Sequence, residues 1–215
     1  MQTRREYTAL DRIIIGFDGF LHQLTAENKS VSRSSPADNV VDGTLTPAMQ
    51  SVSAGLMRVN HAGEVAAQAL YQGQAMTARD RDIQQIMKTS ADEEVDHLVW
   101  CQKRLDELGS HASLLGPVWY SGSLAIGILA GLIGDRWSLG FLAETENQVV
   151  RHLDSHLDKL PGPDNKSRAI LEQMRKDESH HVTVAIESGA VELPVAVRRL
   201  MQLCSKVMTT TAYRI

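Results

Sequence analysis

Glu94-Val-Asp-His97 and Glu178-Ser-His-His181 are two copies of one pattern, and each follows a lone glutamate, Glu64 and Glu146, by 30 and 32 residues. Residues three apart share a helix face, so each copy presents a carboxylate and an imidazole side by side. One glutamate from each of two helices and Glu-x-x-His from each of two others is what a four-helix bundle needs to hold two iron or manganese ions. A single Glu-x-x-His arises by chance on a Glu-rich helical surface, usually as a solvated pair. Two copies, each with its preceding glutamate and 84 residues apart, are far harder to produce that way.

The surrounding periodicity places these groups inside. Ile83, Met87, Ser90, Glu94, His97, Cys101 and Leu105 follow steps of three and four. So do Leu139, Leu142, Glu146, Val149, Leu153 and Leu157, and likewise Leu171, Met174, Glu178, His181 and Ala185. The stripe through Met57, Glu64, Ala67 and Tyr71 is less regular, with Asn60 or His61 falling between. The expected ligands thus sit where a plain bundle would carry Leu or Ile. Long helices are expected over about 46–78, from Asp80–Asp82 to before Gly109, over 135–160, and from Asp164 as N-cap to Ser188-Gly189. Pro194 can open a final helix running to about Met208. The fold class is all-α: a four-helix bundle with one long apolar crossover helix and an additional C-terminal helix.

At 215 residues the chain suffices for one domain with a full core, and splitting it would separate the two halves of the ligand set. Residues 7–25 read as an amphipathic helix and 27–47 as a polar linker, so the expected division is 1–46 and 47–215. No strand signal stands out. A net charge of −4 gives no reason to expect nucleic acid. Cys101 and Cys204 form no Cys-x-x-Cys pair, which reads as a reducing compartment. Asp11, Arg12 and Asp18 interrupt any apolar run near the N-terminus, so no export signal is expected.

Residues 112–134 contain no Asp, Glu, Lys, Arg or His over 23 positions. The length reaches that of a membrane span, but Gly116-Pro117 and three serines break the first half. A crossover running along the bundle and touching a membrane is the favoured reading; a true span and a buried crossover are the alternatives. Such a connector is required if the second and third bundle helices run parallel.

Four buried carboxylates facing one another would each cost several kcal/mol. Two divalent ions neutralise them, and mixed oxygen and imidazole donors suit iron or manganese. By position Glu94 and Glu178 would bridge, Glu64 with His97 would complete one metal, and Glu146 with His181 the other. Neighbours leave alternatives open: Glu93 for Glu94, Glu144 beside Glu146, and the pair Asp177 and His180. His61, His111, His152 and His156 read as surface or outer histidines, and Tyr71 and Cys101 as core packing.

With these residues in place the chain resembles the demethoxyubiquinone hydroxylase family of ubiquinone biosynthesis, in its bacterial form. The resemblance rests on Met57-Arg-Val-Asn-His-Ala-Gly-Glu64-Val-Ala-Ala, Asp92-Glu-Glu-Val-Asp-His97-Leu, Asp177-Glu-Ser-His-His181, the uncharged crossover and the ending Thr-Ala-Tyr-Arg-Ile, and it covers about residues 47–215. It implies a ferritin-like di-iron monooxygenase with Glu64, Glu94, His97, Glu146, Glu178 and His181 as ligands. It implies two iron ions, O2 as cosubstrate, NADH or the quinol as reductant, and hydroxylation of the ring of a polyprenyl demethoxyubiquinol. The expected setting is peripheral, on the cytoplasmic face of the bacterial inner membrane, with a ubiquinone-biosynthesis complex and a homo-oligomer as further expected partners. Some relatives carry Tyr after the His that follows the third-helix glutamate; here Leu153 follows His152, so no role of that tyrosine carries over. The competing classes are a ferritin-like iron-binding or peroxide-handling protein and a non-catalytic scaffold.

Overall fold

Side-chain caps set three of the six helix starts in the computed structural model, which describes residues 32–215. The amphipathic helix expected over 7–25 lies outside the described residues. Helix α1 spans Pro47–Thr77, with Thr46 accepting from the Met49 amide and proline in the first turn. Helix α2, Arg81–Glu107, begins at Asp80, whose carboxylate accepts from the amides of Asp82 and Ile83. These caps satisfy amides that have no partner within the helix. Helix α3 is Gly116–Ile133, α4 is Asp135–Lys159, α5 is Asn165–Glu187 capped by Asp164, and α6 is Val195–Ala212. No strand occurs among the described residues.

Two expected details change. Gly116-Pro117 opens α3 rather than breaking it, because proline lacks only an amide proton that the first turn would leave unbonded. The crossover helix is therefore 18 residues and about 27 Å long. The last helix continues past Met208 to Ala212, and Pro194 is its N-cap.

Directions follow from contacts at known heights. Helix α2 runs antiparallel to α1: Gln84 Nε2 donates to Ala75 O at one end, and Arg58 Nη2 to Ser110 Oγ beyond the other. Helix α4 also opposes α1, since Gln74 bonds Ser138 while Asn60 meets His156. The two middle bundle helices are thus parallel, and α3 makes the crossover beside α1. Helix α5 opposes α4, with Arg175 paired to Asp154 and Arg168 bonded to Leu157 O.

Glycine permits the close approach of α3 to α1. A Cβ on Gly127 would stand 2.1 Å from Leu70 O, and one on Gly73 would stand 2.5 Å from Leu124 O. Gly127→Ala is expected to lower stability by about 1–3 kcal/mol, as overpacking does, read as a fall in melting temperature; an unchanged melting temperature contradicts this interface.

Residues 32–46 carry no helix, but side chains bind them to the bundle. Lys103 pairs with Asp38, Arg104 with Asp42, and Asn165 Nδ2 donates to Val41 O. Buried Arg104 joins Asp42, Glu107 and Asp164, so its charge is fully matched.

Candidate metal centre

The bundle interior is divided into three layers. One apolar cluster contains Met57, Cys101, Leu153, Leu171 and Met174. The other contains Tyr71, Met87, Leu139, Leu142 and Ala185. Each of the four bundle helices passes from one cluster to the other, and the intervening turn carries the carboxylates. Glu64, Glu94, Glu146 and Glu178 are at most 3% exposed, and His97 and His181 are buried with them. All six residues singled out by the sequence meet in this layer.

They form two overlapping groups, Glu64, Glu94, His97 and Glu178, and Glu94, Glu146, Glu178 and His181, with ligand atoms inside each group within 4.8 Å of one another. Glu94 and Glu178 are shared. His97 Nδ1 lies 3.1 Å from Glu94 Oε2, 3.0 Å from Glu178 Oε1 and 3.7 Å from Glu64 Oε2. His181 Nδ1 lies 3.0 Å from Glu178 Oε2, 3.5 Å from Glu146 Oε1 and 3.9 Å from Glu94 Oε1. Both Nδ1 atoms therefore face the cluster. Of the alternatives, Glu144 bonds Gln148 and pairs with Arg151, and His180 is exposed, so neither enters it.

The donor set fits two divalent ions. Glu94 Oε1 and Glu146 Oε2 are buried without a hydrogen-bond partner, which is costly for carboxylate oxygen unless a cation meets it. Burial and the neighbouring Glu178 push Glu146 up to about 8. Glu94 is also raised, by burial first and then by Glu178 and Glu64. Burial opposes charge on both imidazoles, but the carboxylates around them outweigh it and raise His97 and His181. In the metal-free protein, protons thus occupy the place of cations. Metal uptake must expel them, so affinity rises with pH. Glu146, raised by burial and by Glu178, is one of the groups whose proton must leave, and so contributes to that rise. Competition against a coloured chelator at three pH values between 6.5 and 8.5 measures this; a flat profile contradicts it.

Two acids outside the cluster hold the imidazoles. Asp177 Oδ2 lies 3.0 Å from His97 Nε2, and Glu93 Oε2 lies 2.5 Å from His181 Nε2. With Nδ1 free for a metal, each Nε2–H donates to that acid, which fixes tautomer and ring orientation. Glu93 is thus a partner of His181, not a substitute for Glu94. Tyr71 is more than packing: its hydroxyl donates to Glu146 Oε1. Cys101 does pack, with its sulfur 3.9 Å from that of Met174. His156 is buried, its Nδ1 bonded to Asn60 at 3.0 Å, and its ring lies 3.8 Å from that of His152.

A cavity of about 480 Å³ reaches Glu64 from the side bounded by α1, α3, α4 and α6. Its walls are largely apolar, with Leu70, Trp119, Ile126, Phe141, Leu200 and Met201 prominent. Gln148, Thr145 and His152 on α4 are among its few polar groups. Sequence periodicity offered no signal for this space, because α3 and α6 enclose it only after folding.

Residues 51–212 match the family described as ubiquinone biosynthesis protein COQ7. The chain belongs to the COQ7 family. Its COQ7 relatives include proteins named 3-demethoxyubiquinol 3-hydroxylase. The one from Nitrosococcus oceani is 56% identical over 209 residues, covering 97% of this chain and 98% of the relative. That from Stutzerimonas stutzeri is 52% identical over 215 residues and covers both chains fully. That from Legionella pneumophila is 53% identical over 212 residues, 98% of this chain and 100% of the relative. The COQ7 match covers the four bundle helices from the second turn of α1 onward, and the cavity walls.

Proposed function

We propose that the chain hydroxylates the ring of a polyprenyl demethoxyubiquinol with O2 at a carboxylate-bridged di-iron centre. The observation that carries this reading is the overlap of two ligand groups through Glu94 and Glu178, with Glu64 of the first group also lining a largely apolar cavity. Glu94 and Glu178, shared by both groups, would help to hold both ions, Glu64 and His97 would complete one metal position, and Glu146 and His181 the other. Bound iron supplies oxygen activation, which protein side chains lack. The remaining work belongs to the chain. Asp177 and Glu93 hold the two imidazoles, and the Tyr71 hydroxyl holds one oxygen of Glu146. The cavity excludes water and orients the quinol ring beside Glu64.

The isoprenoid tail is insoluble in water, so the substrate arrives from lipid. Helices α3 and α6 wall the cavity, and both leave large apolar side chains exposed: Val118, Leu129 and Leu132 on α3, and Leu200, Leu203 and Val207 on α6. Helix α3 is long and apolar enough to cross a membrane, yet glycines seat one side of it on α1. Its exposed side opposes the buried-crossover reading and favours contact with the bilayer. The exposed apolar sides of these two helices support peripheral attachment to a bilayer, and the cytoplasmic face is part of the same proposal. An iron-storage or peroxide-handling protein has no need of such a cavity.

The test uses purified iron-loaded protein, a short-tailed demethoxyubiquinol, a reductant and isotopically labelled O2. One labelled oxygen atom in the new ring hydroxyl is expected. Absence of hydroxylated product, or oxygen taken from water, contradicts the proposal.

A further inference from the structure

Arg33 reaches the ligand layer from outside the bundle. Its Nε donates to Asp96 Oδ2 at 3.0 Å and its Nη1 to Asp177 Oδ2 at 2.8 Å. The guanidinium carbon stands 4.9 Å from the centre of the Trp100 ring, and Nη2 lies 3.4 Å from His97 Nε2. Ser32 secures the anchor: its amide donates to Asp96 Oδ1 at 2.9 Å and its hydroxyl to Oδ2 at 2.6 Å. Gln173 Nε2 donates to the second oxygen of Asp177 at 2.9 Å. The carboxylate facing His97 is therefore gripped at both oxygens.

The other imidazole has a looser support. Glu93 faces His181, is 39% exposed at its side chain against 15% for Asp177, and has only His181 as ion-pair partner among the described residues. The sequence pattern is nearly two-fold, an acid before each shared glutamate, but Arg33 breaks that symmetry.

We propose that Arg33 is a positioning residue that makes the two metal positions unequal. Acting through Asp177, it holds His97 with Nδ1 toward the cluster, so the ion beside Glu64 and His97 is retained longer than the ion beside Glu146 and His181. The inference rests on the di-iron reading above. Partners of this kind are worth 10–100-fold in metal affinity or activity. Lysine cannot replace the arginine, because one ammonium lacks the planar fork that spans Asp96 and Asp177 while lying on Trp100.

The experiment is release of ferrous iron, without O2, from protein loaded with two equivalents into excess coloured chelator. Wild type is expected to release its iron in two phases of equal amplitude. Arg33→Met is expected to speed the slow phase about 10–100-fold and leave the fast phase alone. Arg33→Lys is expected to behave like Arg33→Met, and Glu93→Gln to speed only the fast phase. An unchanged slow phase in Arg33→Met overturns the inference. So does equal acceleration of both phases, which marks general loosening, or full restoration by lysine, which marks charge alone. Two irons leaving wild type in one phase overturn this inference and spare the di-iron reading; failure to take up iron overturns both.

Discussion

Glu178→Ala is expected to leave demethoxyubiquinone unconverted when it replaces the wild-type gene in a strain deleted for this protein. Glu178 is shared by both ligand groups, so its loss removes a donor from each metal position at once. Even the outer partners of metal ligands cost 10–100-fold when removed. Loss of a shared ligand should therefore lower turnover at least about 100-fold. Mass spectrometry of quinones reads the outcome: wild type restores ubiquinone, and the variant accumulates the precursor. Glu178→Gln, which keeps the shape of the side chain, is expected to fail equally, separating lost ligation from lost packing. Rescue by either variant would favour a scaffold role over catalysis.

Gly63→Leu should separate substrate access from metal binding. Gly63 precedes Glu64, lines the cavity, and has nothing within 4 Å of an added Cβ. A leucine there grows into the space assigned to the quinol ring. Because glycine inside a helix costs about 0.5–1 kcal/mol relative to alanine, the variant should fold at least as stably as wild type. Two irons are expected to remain bound, while kcat/KM for the quinol falls at least about tenfold, since about 1.4 kcal/mol of lost binding suffices for that. An iron-replete variant with wild-type kinetics would exclude this cavity as the route to the metals.

The bundle was legible because its information is local. Steps of three and four marked the buried stripes, and Asp80 and Asp164 marked helix starts through their own side chains. The six ligands stood out because charged residues interrupt apolar stripes at matched intervals. The supports of the ligands were less visible, because each crosses between helices. Asp177 serves the histidine of α2 and Glu93 that of α5, so spacing within either helix could not reveal the pairing. One signal was present: an acid precedes the shared glutamate in both copies. Tyr71 looked like a core aromatic because its partner, Glu146, lies 75 residues away. Arg33 sits in a polar stretch without periodicity, where only the folded chain brings it to Asp96 and Asp177. Gly116-Pro117 was misread because the same proline that disrupts a helix interior is well accommodated at its start.

Anomalous X-ray scattering at the iron edge, from crystals of the iron-loaded protein, tests the central claim most directly. Two iron peaks per chain are expected, one bounded by Glu64 and His97, the other by Glu146 and His181, with Glu94 and Glu178 between them. A single peak, or iron bound away from these six side chains, would contradict the account.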